Sequence, residues 1–124
     1  MEESRNNFDL FDAAVQIWKK AQVAREISGK VEWPPAEMIT NVAADMGRYR
    51  ERLLRCLFDD NQLVVAYAML VLKRVNDPML KELPKELLNR HDKITLRIGS
   101  FSETMELGAF ARMLKKQAAT EVRV

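Results

Sequence analysis

Ten consecutive residues from Leu63 to Leu72, Leu-Val-Val-Ala-Tyr-Ala-Met-Leu-Val-Leu, carry no charge. A segment apolar on every side is unstable against water, so the rest of the chain must fold around it. The run is half of the roughly 20 residues that a membrane span requires. Val64 and Val65 are β-branched and admit a buried strand. The length of the run, with Ala66, Ala68, Met69 and Leu70, instead predicts a central core helix over about Gln62 to Val75. Asp59-Asp60-Asn61 interrupts the pattern just before it, where Asp60 or Asn61 can cap the free N–H groups of the first turn. A chain of 124 residues is one domain in size and buries about two-thirds of its unfolded surface, enough for a core without bridges or metals.

The other apolar residues step by three or four. Phe8, Phe11, Val15, Trp18, Ala21, Ala24 and Ile27 draw one stripe along a helix from about Asp9 to Ser28, with Gly29 as its stop. Lys30 to Trp33 lead to Pro34-Pro35, and proline suits a first helical turn. A second, long helix is expected from Pro35, its apolar face running from Met38 and Ile39 through Val42, Met46, Tyr49 and Leu53 to Leu57 and Phe58. Gly47 predicts a bend or break within it. Asn76-Asp77-Pro78 predicts a turn into a short helix, and Pro84 kinks that helix or opens another turn carrying Leu87 and Leu88. From Arg90 to Gly99, Ile94, Leu96 and Ile98 alternate as in a strand, yet Ile94, Ile98 and Phe101 also fit helical spacing. A lone strand has no partner, so helix is the expectation. Ser100-Phe101-Ser102-Glu103 reads as a capping box for a last helix with Met105, Phe110, Met113 and Leu114, ending near Ala118. Arg112, Lys115 and Lys116 complement its negative end. The sum is an all-α single domain over 1–124 with five to seven helices, either a compact helical bundle or a short stack of helix pairs, and with 1–7 and 119–124 flexible.

Composition narrows the function classes. Apolar residues make up 48% and charged residues 31%, an ordinary globular balance. One Cys excludes a disulfide framework and a Cys-based zinc site, and one His excludes a histidine-cluster metal site. The net charge is +2, divided as −2 over residues 1–62 and +4 over 63–124. That bias is modest for a nucleic-acid-binding domain. Met1 to Asn7 is polar and has no apolar run of the signal-peptide kind, which with the lone Cys gives a cytoplasmic, intracellular expectation and no membrane association.

Leu53, Leu57 and Phe58 recur thirty residues on as Leu83, Leu87 and Leu88. Leu63, Tyr67 and Leu70 recur at thirty-one as Ile94, Ile98 and Phe101. Such periods accompany paired helices in helical repeats. The segment from Asp60 to Leu70, Asp-Asn-Gln-Leu-Val-Val-Ala-Tyr-Ala-Met-Leu, resembles the second helix of a HEAT-type repeat, where an Asp-capped turn leads into a Val/Ala/Leu-rich inner helix. The resemblance covers about residues 48–118. It departs from the family pattern at Val65, where a basic residue is usual, and at Pro84, where a repeat helix runs on. It implies a HEAT-like stack of helix pairs that binds a partner on one face, as a scaffold rather than a catalyst.

Several side chains carry possible chemistry. Arg48, Arg52 and Arg55 share a helix face at i, i+4 and i+7, with Arg50 pointing away, and three guanidinium groups on one face can hold phosphates or carboxylates. A solvated face neutralised by Asp45, Glu51, Asp59 and Asp60 is the plainer reading. Trp33 beside Pro34-Pro35 can anchor a partner or pin its connector to the core. A second basic set, Lys73, Arg74, Lys81, Lys85, Arg90, Lys93 and Arg97, can gather on one edge if helices stack. Asp77, Glu82, Glu86 and Asp92 interrupt it as a phosphate track, and no stacking aromatics accompany it. Cys56 beside Arg55 is either an activated thiol or a small buried hydrophobe. His91 beside Asp92 lacks a nucleophile partner and reads as a loop histidine. Gly99-Ser100-Phe101-Ser102 has the form of an anion-binding helix start, for which capping is a sufficient explanation.

These residues give no catalytic, cofactor-binding or metal set. The expected function is a non-catalytic protein–protein interaction module of adaptor, inhibitor or immunity type that presents a helical face, with Arg48, Arg52, Arg55 and Trp33 as candidate partner contacts. The alternative is a nucleic-acid-associated protein using the Arg48/Arg52/Arg55 face and the basic C-terminal half. The 8–27 helix can also form a homodimer seam.

Overall fold

The computed structural model of the chain describes residues 9–25, 33–98 and 101–121. Its centre is the helix expected from the apolar run. Helix α4 (Gln62–Arg74) buries every residue from Val64 to Leu72, and Asn61 caps it by accepting from the Leu63 and Val64 N–H groups at 2.8 and 3.2 Å. Each such side chain buried contributes about 1.5–3 kcal/mol over its exposed state. Around α4 stand α1 (Leu10–Lys20), α2 (Pro34–Ala43), α3 (Met46–Arg55), a short α5 (Lys85–Leu88) and a C-terminal α6 (Leu107–Glu121). Single 3-10 segments follow α3 (Cys56–Phe58) and precede α5 (Pro78–Glu82). Among the described residues, no helix is long and apolar enough to cross a membrane.

The all-α expectation is corrected. Lys93–Ile98 (β1) and Phe101–Glu106 (β2) form an antiparallel hairpin, with Lys93 opposite Glu106 and Ile98 opposite Phe101. The alternation of Ile94, Leu96 and Ile98 was the operative pattern, and the partner that a lone strand lacked is the segment assigned to a helix cap. Gly99-Ser100 between the two runs is the sequence signal for such a turn; these two residues lie outside the described residues. Ser102 and Glu103 therefore belong to a strand, Met105 lies on β2 and α6 begins at Leu107. Ile94 and Phe101, the counterparts of Leu63 and Leu70 in the thirty-one-residue correspondence, lie on facing strands rather than on a helix.

Helix α1 ends at Lys20, short of the expected Ser28, because the chain has other partners there. Ala21 turns extended. The Ala24 N–H donates to the Thr95 carbonyl at 2.8 Å, and its carbonyl accepts from the Arg97 N–H at 2.9 Å, placing Ala24 on the outer edge of β1. Gly29 and the connector up to Glu32 lie outside the described residues. The capping box occurs at the other end of α1: Asp9 accepts from the Asp12 N–H at 3.1 Å, and Asp12 accepts from the Asp9 N–H at 3.2 Å. The long second helix is two helices, α2 and α3, broken at Ala44-Asp45 just ahead of Gly47. Asp77 caps the turn at Pro78 by accepting from the Met79 N–H at 2.9 Å, and Pro84 precedes α5 as expected. Helix α6 extends past Ala118 to Glu121, so residues 119–121 continue the helix.

Candidate interaction groove

The candidate site residues divide sharply. Arg52 is partly buried and tied to the fold. Its Nη1 donates to Asp9 Oδ2 at 2.7 Å, its Nη2 to Asp12 Oδ1 at 2.6 Å, and its guanidinium lies 4.7 Å from the centre of the Phe11 ring. It thus joins α3 to the capping box of α1, and its charge holds the Asp9 carboxyl below its usual range. Arg48 lies against the ring of Tyr49 on its own helix, and Arg55 is exposed. Arg50 does point away from that face, toward Asp77: Nε donates to Oδ2 at 2.7 Å and Nη2 to Oδ1 at 2.9 Å. This two-pronged pair lowers the pKa of Asp77, a buried carboxyl.

Trp33 is half-buried and pinned. Its Nε1 donates to the Tyr67 hydroxyl at 3.2 Å, which also accepts from the Arg25 N–H at 3.1 Å and donates to the Val23 carbonyl at 2.8 Å. Burial raises the Tyr67 pKa above the ordinary tyrosine value. Tyr67 stacks on Trp18, which donates from Nε1 to the Pro35 carbonyl at 2.9 Å. Cys56 is the buried hydrophobe: burial pushes its thiol up to about 11. His91 is exposed, with Nδ1 3.1 Å from Glu106 Oε1.

The α1 stripe is used within the chain, since Phe11, Ala14 and Trp18 are buried in its own core. Phe101 and Ser102, expected at a helix start, lie on β2, and Gly99-Ser100 lie outside the described residues; at the start of α6, Leu107 N–H donates to the Asp92 carbonyl at 2.8 Å and Gly108 N–H to the Arg90 carbonyl at 2.9 Å. Arg90 is itself bound to Asp92 and to the carbonyls of Asp59 and Asp60.

What the structure gathers instead is a groove along α6. One hollow of about 310 Å³ lies between the C-terminal half of α6 and the Pro78–Glu82 segment, with Leu80, Leu114 and Ala118 in its lining. A second of about 160 Å³ lies between α6 and β1, lined by Leu96, Phe110 and Leu114 together with Leu70 of α4. A third of about 410 Å³ continues over Met113, Lys116 and Gln117. Gln117 lines all three hollows, Met113 and Leu114 two each. On α6, Phe110, Met113, Leu114 and Gln117 fall at i, i+3, i+4 and i+7, so one helix face forms the length of the groove. Among the described residues, Met113 is an exposed large apolar side chain that lines it, and the exposed Phe101 lies on the same face of the hairpin as Leu96.

Lysines rim this surface. Lys81 lines one end and Lys116 the outer lip, and Lys73 lines two of the hollows; Arg97 lines the hairpin side by its position next to Leu96, its side chain leaving the opposite face of β1. Three members of the second basic set, Lys73, Lys81 and Arg97, therefore do gather. Arg74 bonds Thr40 and Arg90 bonds Asp92, so those two face elsewhere. Sequence reasoning identified the apolar face of the last helix and the scattered cations, but not that a hairpin and a 3-10 turn would wall them into one site. No family model matches the chain, and no curated protein or solved structure matches it.

Proposed function

We infer that this protein is an intracellular, non-catalytic protein–protein interaction module whose working surface is the α6 groove. The observation that carries this reading is the row of three hollows along one face of α6, from Leu80 to Leu96 with Met113 at the lip, in which apolar side chains lie among lysines, Asn76 and Gln117. Apolar hollows in a cationic frame match the apolar core and polar rim of protein interfaces. An adaptor or inhibitor needs no more than such a face. The arginine face is a weaker candidate for nucleic acid than its sequence indicates, because Asp9 and Asp12 neutralise Arg52.

Affinity capture from nuclease-treated lysate tests the reading with three forms of the chain. The expected result is a protein retained by the wild type and by the Arg48→Glu/Arg55→Glu form, and lost by Met113→Glu. Met113 is 37% exposed, so its replacement leaves the core intact. Retention that instead depends on nucleic acid and on Arg48 and Arg55 would replace this reading with the nucleic-acid one.

A further inference from the structure

We propose that the α6 groove receives an acidic amphipathic helix, an apolar stripe flanked by Asp and Glu, supplied by a protein partner. The proposal rests on the interaction reading above and specifies the chemistry of the partner.

Charge is the first argument. Lys81 and Lys116 stand around the apolar lining, and among the described residues no carboxylate pairs with either. Asp77, which also lines the Leu80 hollow, is already bonded to Arg50. A partner carrying carboxylates beside its apolar residues meets complementary charge on both sides of the channel, which steers its approach and sets its orientation. The apolar floor supplies the hold.

The form of the occupant follows from the backbone. An extended peptide would add to a sheet edge. On the groove side of β1 that edge is closed at its middle by Ala24, which donates to Thr95 and accepts from Arg97. A helix needs no such edge. The α6 face from Phe110 to Gln117 is about 10 Å long at 1.5 Å per residue, the length of two turns of an apposed helix.

A second copy of the chain fits poorly. A two-fold contact through this face would set the lysine rim of one copy, Lys81 and Lys116, against the same rim of the other.

The test uses the whole chain as bait for a displayed library of helical peptides of about 15 residues, counter-selected on Met113→Glu. Enriched sequences are expected to carry apolar residues at i, i+3 or i+4 and i+7 with Asp or Glu alongside. A synthetic copy of the best sequence should lose about tenfold or more in affinity when its carboxylates become Gln, and again on the Lys81→Glu/Lys116→Glu chain. Its affinity should also fall as salt is raised. Enrichment of neutral or basic peptides, indifference to the lysine changes, or no enrichment at all overturns the proposal. So does a dimer of the wild-type chain that Met113→Glu dissolves, which would make a second copy the occupant. A lysate partner lost on Met113→Glu without carboxylate dependence leaves the interaction reading standing and removes only this one.

Discussion

At the scale of single residues, the groups with the most chemical potential are used to hold the chain to itself. Tyr67 is the clearest case. One hydroxyl on the central helix satisfies the Val23 carbonyl, the Arg25 N–H and the Trp33 indole. Tyr67→Phe removes all three bonds while preserving the stack on Trp18. We expect a loss of about 1–3 kcal/mol in urea unfolding, with trypsin cleavage after Arg25 becoming faster. Cys56 gives a second expectation. With its thiol pushed up to about 11 by burial, it should label with a disulfide reagent at neutral pH only as fast as the protein unfolds. Rapid labelling of the native chain would refute that burial.

At the scale of elements, the two glycines on helices behave oppositely. Gly47, near the start of α3, faces open space. Gly47→Ala should stabilise by about 0.5–1 kcal/mol through helix propensity and a less flexible unfolded chain. Gly108 is where α6 crosses the end of α5. A Cβ there meets the Leu88 carbonyl oxygen and stands 2.8 Å from that of Arg90, while the Gly108 N–H donates to Arg90. Gly108→Ala should therefore destabilise by about 1–3 kcal/mol despite alanine's preference for helix. Thermal unfolding of the pair reads both signs, and equal signs would mean that α6 does not pack as described. The hairpin was hard to see for a related reason. Ile94, Leu96 and Ile98 supply a strand, but a strand is stable only with its partner, and Phe101–Glu106 is mostly exposed and lacks an alternating apolar code of its own.

At the scale of the molecule, two ion pairs join elements distant in sequence: Arg52 ties α3 to α1, and Arg50 ties α3 to the turn after α4. A third, local pair of Arg90 with Asp92 orients Arg90, which holds the entry to the hairpin against the carbonyls of Asp59 and Asp60. Asp9, Asp77 and Asp92 all titrate below the ordinary 3.8. Their contribution to stability is full above about pH 5 and is lost as pH falls through their folded values, because the unfolded chain takes up protons first. Urea midpoints measured downward from pH 7 should fall steeply below about pH 4. Asp77→Asn, which removes one of the three, should flatten that acid limb; an unchanged slope would show that the Arg50 pair carries no linkage.

The central helix, the caps at Asn61 and Asp77 and the breaks at Pro34 and Pro84 were determined by sequence alone. Those features are local: an uncharged run must be covered, a side-chain oxygen reaches N–H groups two or three residues on, and proline cannot continue a helix. The early end of α1, the hairpin and the groove were decided only by tertiary structure. Each depends on a partner outside the segment itself: Ala24 on β1, Phe101–Glu106 beside Lys93–Ile98, and α6 against both the hairpin and the Pro78–Glu82 segment. The arginines show the same division. Their spacing put Arg48, Arg52 and Arg55 on one face, but only the packing of α1 against α3 decided that Arg52 would face Asp9 and Asp12, because a charge seeks the nearest opposite charge in space.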